Sequence, residues 1–507
     1  MVIVPKPKGA EQIPTGNASA AAPLMSKVGL DTHLGTQPMG ELTYGALGTV
    51  PMIISFWPVI FGGAYGMTKR REAIEKANRQ QAVAEERQKT VDCAVELIER
   101  EQGKEAAEKA REAMDKMFNM GPMLRPTPGN IITWILLAIG LVVTIVRFTQ
   151  GIGSVSNLDD NQPWGIWIGF DLLCGVCLAA GGYFTTVACY VMGMKHFHSA
   201  ARPAVLTAFL GYLFVVVALL YDLGHPLRLP YMFFFPGTTS VLFEVGLCVA
   251  TYLTVLFLEF SVAPAEWLSK KFPFLLTYRH WIEKIGILLT IMGVCLSTLH
   301  QSSLGSLYLI APGKLHPLWY SPFLPMFFFV SSMIAGASMV VFEGMLSHAG
   351  MHAYMDKKHL SQADGVTLSF SKAAAFILCS YFIMRFVDML VHGNAPYLFS
   401  SYGAWWLVEM FGFVLTPAIL YAKGSRDLNV PLCRAASAMA VCGIVLNRWT
   451  ISMIAYNYQL PAAERYFPSL SEIMVSVFVV TMIVTAYRFI CYHMPILYEH
   501  PDFKEDH

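Results

Sequence analysis

The sequence predicts an all-α, polytopic membrane protein: one extra amino-terminal transmembrane helix followed by a ten-helix membrane domain. Three observations carry that reading. Of 507 residues, 55% are hydrophobic and 14% charged, too apolar for the three or four soluble domains this length would otherwise imply. Eleven runs of about 20 apolar residues recur along the chain, each long enough to cross a hydrocarbon core at about 1.5 Å per residue. The charges are also segregated. The 48 residues from Lys69 to Lys116 hold 24 of the 71 charged side chains, twelve of each sign. A net charge of +1 supplies no field that would draw nucleic acid.

Residues 1–42, rich in Pro, Gly, Ser and Ala, read as an amino-terminal segment. No short apolar core precedes a small-residue cleavage site, so the first apolar run is expected to be retained as an anchor span within 43–67. Residues 68–128 follow as a charged helix and linker. Neither Gly nor Pro occurs from Lys69 until Gly103, and Val83, Val91, Val95 and Ile98 form an apolar stripe, which suits a solvated helix. The membrane domain, 129–495, contains spans at about 130–149, 164–192, 204–222, 240–260, 281–301, 322–346, 368–390, 403–422, 431–455 and 471–493. Residues 496–507 form a tail.

Loop charge sets the expected orientation. Alternate loops carry Lys195, Arg202, Lys270, Lys271, Arg279, Lys284, Lys357, Lys358, Lys423, Arg426 and Arg434, against only Arg228, Lys314 and Arg465 in the others. Basic loops stay in the cytoplasm. The expectation is therefore a bacterial inner-membrane protein with a periplasmic amino terminus and a cytoplasmic carboxyl terminus, Lys69-Arg70-Arg71 falling on the cytoplasmic side.

Ionisable groups inside spans are costly and mark functional sites by default. On this topology Arg147, Asp171, Asp222, Glu244, His300, Arg385, Asp388, Glu409, Arg448 and Glu472 fall in the outer halves or outer ends of their helices. Glu259, Glu343, Lys372, Arg434 and Arg488 lie toward the inner face. Asp171 sits about eight residues, roughly 12 Å, past Pro163, where a carboxylate needs a partner or a proton. Structural ion pairing is the plain alternative, Arg385 with Asp388 one turn on being an example. Ten such groups at one side also suit a pocket that hydrogen-bonds a carbonyl or hydroxyl and exchanges protons with it. The runs Asp222-Leu-Gly-His225-Pro226 and His300-Gln301-Ser-Ser-Leu-Gly-Ser306 each close a span at that side.

Other chemistry lacks its signature. No pair of His residues faces across the bilayer as a haem b requires, no four-Cys iron–sulfur spacing occurs, and no phosphate-binding or dinucleotide loop is present. Most of the ten cysteines, Cys174 and Cys177 included, lie in apolar runs and read as packing residues. The expectation is a chain with no haem, iron–sulfur cluster or other metal of its own. A faint repeat relates Asp222/His225 to Asp388/His392 and Glu244 to Glu409, four spans apart, which suggests two four-helix halves.

Pro-Trp-Gly-Ile-Trp-Ile-Gly-Phe-Asp171, Val-Leu-Phe-Glu244, Leu-His300-Gln-Ser-Ser-Leu-Gly-Ser306, His316-Pro-Leu-Trp319 and Val-Phe-Glu343-Gly strongly resemble the NrfD/PsrC superfamily of integral membrane subunits. Over about 130–495 the likeness is greatest to the HybB branch, the quinone-reactive subunit of periplasmic uptake hydrogenases. The resemblance implies two four-helix bundles, a quinone pocket near the outer face with menaquinone the expected type, and no resident redox centre. It also implies a periplasmic ferredoxin-like iron–sulfur partner tied to a hydrogenase or a multihaem cytochrome c complex. Residues 1 to about 128 depart from that branch, and the 43–67 span resembles the carboxyl-terminal anchor of HybA-type iron–sulfur subunits.

On that resemblance Asp171 and His300 are expected to contact quinone or exchange its protons. Gln301, Asp222, His225, Glu244, Arg385, Asp388, Glu409 and Arg448 are expected around them, and no covalent catalyst is expected. Glu259, Glu343 or Arg434 would start a proton route from the inner face. A secondary transporter is the competing class, but its sites lie at the midplane between broken helices. A passive anchor would not need Asp171 buried.

Overall fold

The computed structural model describes residues 123–498 apart from 160–161, 163, 195–196, 270 and 353–354. The segments expected at 1–42 and 43–67, nearly all of the charged helix, and the last nine residues of the tail lie outside the described residues.

Among the described residues ten helices are long and apolar enough to cross a membrane: α1 Pro128–Gln150, α2 Trp167–Val191, α3 His198–Asp222, α4 Val241–Leu268, α5 Gly286–Ile310, α6 Leu324–Met351, α7 His359–Val391, α8 Ser401–Arg426, α9 Val430–Ile454 and α10 Leu470–His493. Among the described residues the only β feature is an isolated bridge between Leu315 and Tyr456. The sequence punctuates these helices in familiar ways. Thr127, Ser240, Ser400, Asn429 and Ser469 each cap a helix by accepting a backbone N–H. At α10 the cap is reciprocal, with Glu472 returning a bond to Ser469. Gly151, at φ +91°, ends α1 in a conformation L residues rarely adopt.

Helices α2–α5 pack around one another, α6–α9 do the same, and α1 pairs with α10 against α2 and α3. The two expected four-helix bundles are thus present. Their seam is tight where α2 meets α6: a Cβ on Gly336 would lie 2.9 Å from the Ala180 backbone, and one on Gly181 3.2 Å from the Gly336 carbonyl oxygen. Small residues let backbones approach where no hydrophobic force drives helices together in lipid. Helix α1, by contrast, exposes Ile131, Ile132, Ile135, Leu141, Val142 and Ile145, as a lipid-facing helix does.

The ten spans expected within 129–495 each correspond to a helix, with one boundary that matters. The sequence predicts the fifth of these spans over 281–301, with His300 at its close. Instead a separate short helix, Phe274–Lys284, precedes α5, and α5 continues regularly to Ser306 before a 3₁₀ turn, Leu307–Ile310. The polar run does not end the helix because Ser302 and Ser306 donate to carbonyls one turn back, at 2.9 and 3.3 Å. His300 therefore lies inside a helix, fully buried.

The helices alternate in direction. One end of the assembly, the Trp167 end, collects the loops after α1, α3, α5, α7 and α9, and the opposite, Arg434 end collects the others. Four helical stretches widen to π-turns: Trp167–Leu172, Val187–Val191, Val408–Leu415 and Thr450–Ile454. The third precedes Pro417, whose missing N–H breaks the regular ladder. Such turns re-aim side chains, often at functional sites, and two of them carry Asp171 and Glu409.

Candidate functional site

Toward the Trp167 end, the sequence-expected residues sort into three clusters. The first joins α1, α2, α3 and α10. Asp171, on its π-turn, is 6% exposed and accepts a hydrogen bond from Ser476 Oγ at 2.7 Å; no cation pairs with it among the described residues. Arg147 is turned elsewhere, donating to the Tyr221 and Leu223 carbonyls at 2.9 and 2.7 Å, where a cation suits a helix carboxyl end. Asp222 lies within the field of Arg147, yet its Oδ1 is buried without a partner. Glu472 is fully engaged, accepting from Ser469 N, Asn157 N and Tyr466 Oη at 2.7, 3.1 and 2.5 Å. Burial and the adjacent Glu472 push the Tyr466 phenol far above its ordinary pKa, so it stays a donor.

The second cluster occupies the first bundle. His300 has both ring nitrogens buried without a partner, as has Gln301 Oε1. Gln301 Nε2 donates to the Val176 carbonyl at 3.1 Å, so the pair faces α2 five residues beyond Asp171. Around His300 stand Tyr212, 5.7 Å between ring centroids, and Tyr252, 4.6 Å from Tyr212 and perpendicular to it. Glu244 is exposed at the start of α4 and accepts from Ser303 Oγ at 2.6 Å.

The third cluster fills the second bundle. Glu409 accepts from Trp319 Nε1 at 3.0 Å and, through a very short contact, from Asn447 Nδ2. Arg448 donates to Asn447 Oδ1 at 3.1 Å and Ser331 Oγ at 2.8 Å, and its guanidinium lies 3.8 Å over the Phe328 ring. Arg385 donates to the Leu318 carbonyl at 2.9 Å and lies 3.9 Å from Asp388, the pair expected from their spacing. Asp388 also accepts from Ser321 Oγ at 2.6 Å and faces His392 at 3.1 Å.

Above this bundle the loop before α6 holds His316 in an aromatic cage. Its ring stacks on Tyr402 at 4.6 Å, with Tyr397, Tyr458 and Trp319 edge-on within 5.6 Å. Burial lowers its pKa to about 3, so the imidazole is neutral, and Nδ1 accepts from Leu318 N.

Two expectations do not join these clusters. His225 is exposed on its loop. Glu259, Glu343 and Arg434 lie toward the Arg434 end, where Glu343 accepts from Thr207 and Tyr487 at 2.6 and 2.7 Å and lines a cavity with His348, His359 and Arg434. Sequence reasoning missed Ser476, Asn447 and Ser331, neutral partners whose roles depend on which helices touch. His316 and Trp319 stand out in the sequence only as a motif, with no role attached to them. Cys177 accepts from Arg448 at 3.7 Å and Cys174 is a buried free thiol beside it. Among the described residues no group of three or more His, Cys, Asp or Glu could hold a metal ion.

Residues 154–459 match the family described as polysulphide reductase, NrfD. The chain belongs to the NrfD family. Its similarity to a protein of Nitratidesulfovibrio vulgaris (strain Hildenborough) is 63% identity over 382 residues, 75% of this chain and 97% of the relative. It is 32% identical over 371 residues to the probable Ni/Fe-hydrogenase 2 b-type cytochrome subunit of Escherichia coli K12, covering 71% of this chain and 90% of that one. It is 27% identical over 374 residues to the integral membrane subunit of menaquinone reductase from N. vulgaris Hildenborough, covering 69% and 88%. With ten apolar helices, this NrfD-family chain is a multi-pass membrane protein of the HybB-like branch.

Proposed function

We propose that this chain is the membrane subunit of a respiratory redox complex, binding quinone or quinol at the Trp167 end and exchanging electrons there with a peripheral iron–sulfur or multihaem cytochrome c partner. The observation that carries the reading is Asp171: a carboxyl buried on a π-turn, held by one neutral hydroxyl and unpaired with any described cation. A structural ion pair would have supplied that cation. The relatives named for hydrogenase and menaquinone reductase support the same reading.

The residues fit a quinone head. Its oxygens need donors when oxidised and acceptors when reduced, and the buried unpartnered atoms here are of both kinds: Asp222 Oδ1, His300 Nδ1 and Nε2, and Gln301 Oε1. A bound quinone supplies a two-electron, two-proton couple. Asp171, oriented by Ser476, takes or returns a proton at its carboxyl oxygen; His300 donates from one ring nitrogen and accepts at the other when neutral, and donates from both when protonated. Glu244, exposed at the start of α4, stands where a lipid-soluble head would enter. Arg385, Asp388, Glu409 and Arg448 interlock around the second bundle and would hold it as a frame beside the site.

The loop-charge bias supports a periplasmic Trp167 end in a bacterial inner membrane, with the carboxyl terminus cytoplasmic. Residues 43–67 with 68–128 are proposed to be an anchor span and cytoplasmic helix joined to the NrfD unit. The test is to purify the chain with its bound partners and measure quinone, iron and haem. Quinone bound to the complex, with no haem or iron assignable to this chain, is expected; a haem b that stays on the chain after all partners are removed overturns the reading.

A further inference from the structure

At the Arg434 end the two bundles part. A cleft of about 570 Å³, counting its open mouth, lies between the start of α3 on one side and α6, α7 and the start of α9 on the other, with Leu497 of the tail against it. The tail is tied down there: the Leu497 carbonyl accepts from Asp356 N at 3.3 Å, and the Pro495 carbonyl from Arg202 at 2.8 Å. A Cβ on Gly344, in the α6 wall, would meet nothing within 4 Å, so the space in front of that helix is open.

The lining is amphipathic. Val340, Met355, Val366 and Leu497 give it an apolar wall, while Arg434, His348 and His359 bring side chains able to carry positive charge. Arg434, its side chain 13% exposed, pairs at 3.0 Å with Asp364, which is 67% exposed at the solvent edge. A guanidinium presents five N–H donors in one plane, so it can serve a second oxyanion beside that carboxylate. His348 stands perpendicular to His352, 4.9 Å between ring centroids, and His359 lies against the Ser199 backbone. Ser199 and Ala200 belong to the first turn of α3, a 25-residue helix with no side-chain cap, whose positive end therefore opens on the cleft. Among the described lining residues Glu343 is the one acid. Both its oxygens are engaged by donors, Thr207 and Tyr487.

We propose that this cleft seats an anionic phospholipid from the leaflet at the Arg434 end. Its phosphate lies between Arg434, His348 and the start of α3, and its glycerol and first methylenes run along Val340, Val366 and Leu497. The donors and the helix terminus select a phosphate ester. The apolar wall, and a mouth at the level where the spanning helices end, assign that ester to a lipid rather than to free phosphate. Basic pockets between transmembrane helices at this depth recognise acidic headgroups. Because α3 belongs to the first bundle and α6, α7 and α9 to the second, the seated lipid bridges the two. Lipid binding here is independent of the quinone reading.

The test is thermal unfolding of the intact purified complex, delipidated in detergent and titrated with phosphatidylglycerol, phosphatidylcholine or inorganic phosphate at equal phosphate concentration. Phosphatidylglycerol is expected to raise the midpoint at about tenfold lower concentration than phosphatidylcholine, and inorganic phosphate to leave it unchanged. Arg434→Gln is expected to weaken the response to phosphatidylglycerol about tenfold, as loss of one charge-assisted hydrogen bond implies. Gly344→Leu, whose side chain occupies the open space, weakens it by at least as much. Gly350→Leu, which also has room for its side chain but lies outside the cleft, keeps the wild-type response. Equal action of the two lipids overturns the proposal, and so does a midpoint raised by inorganic phosphate alone. An undiminished response in Gly344→Leu overturns it as well, whether or not Arg434→Gln folds.

Discussion

The two four-helix bundles are built from the same plan and differ in how they hold buried charge. In the second, Glu409, Asn447, Arg448, Ser331, Arg385 and Asp388 interlock, each buried charge meeting a hydrogen-bond partner. In the first, the carboxyl of Asp171 meets one neutral hydroxyl and no cation among the described residues, and both ring nitrogens of His300 are unmet; neutral atoms such as Trp406 Nε1 and Tyr421 Oη are unmet in the second as well. Charges that are fully met in a low-dielectric interior rigidify it. The interlocked charges make the second bundle a frame, and Asp171 lies at the end the two bundles share.

The comparison is broken most severely at Arg448. Replacing it with Met leaves the Asn447 and Ser331 acceptors unmet inside the second bundle, and the expected loss is about 3–5 kcal/mol, the cost of breaking a buried charged network. Thermal unfolding of the detergent-solubilised complex reads it; a midpoint within experimental error of wild type removes the frame role.

His316 gives the next largest effect, and its sign is fixed by burial. Its folded pKa of about 3 lies below the ordinary value near 6.5. The unfolded chain thus binds the proton more readily, and stability contributed by the neutral ring is lost as pH falls below about 6.5. Between pH 7 and 5 the loss is about 2 kcal/mol. His316→Phe is expected to flatten that part of the stability–pH profile; an unchanged slope contradicts the caged neutral histidine.

The smallest effects fall in the first bundle. Tyr252→Phe removes a neutral hydroxyl that meets Ser297 at most weakly and is expected to change stability by less than about 0.5 kcal/mol, whereas Trp319→Phe, which strips Glu409 of a donor, costs about 1–3 kcal/mol. Equal losses in the two variants would erase the difference between the bundles.

Much of this was legible before any fold was known. Long apolar runs announced the ten described helices, of eleven expected, because the bilayer fixes their length, and the Arg385 and Asp388 pairing followed from one turn of helix. The Asp222/His225 and Asp388/His392 echo anticipated the two bundles. His300 was placed at a helix end because Gln-Ser-Ser reads as polar loop, while serine hydroxyls folded back on the helix keep that run regular. Ser476, Asn447 and Ser331 carried no signal, since hydropathy does not say which helix faces which. His225 was grouped with the site by its neighbours in sequence and lies exposed, outside every cluster.

The central claim rests on one carboxyl group. Quinone-linked turnover of the purified complex should be compared between wild type and Asp171→Asn, alongside reduction of the partner by its own electron donor. A fall of about a hundredfold in quinone turnover is expected, with partner reduction intact. Quinone turnover at the wild-type rate in Asp171→Asn would contradict it.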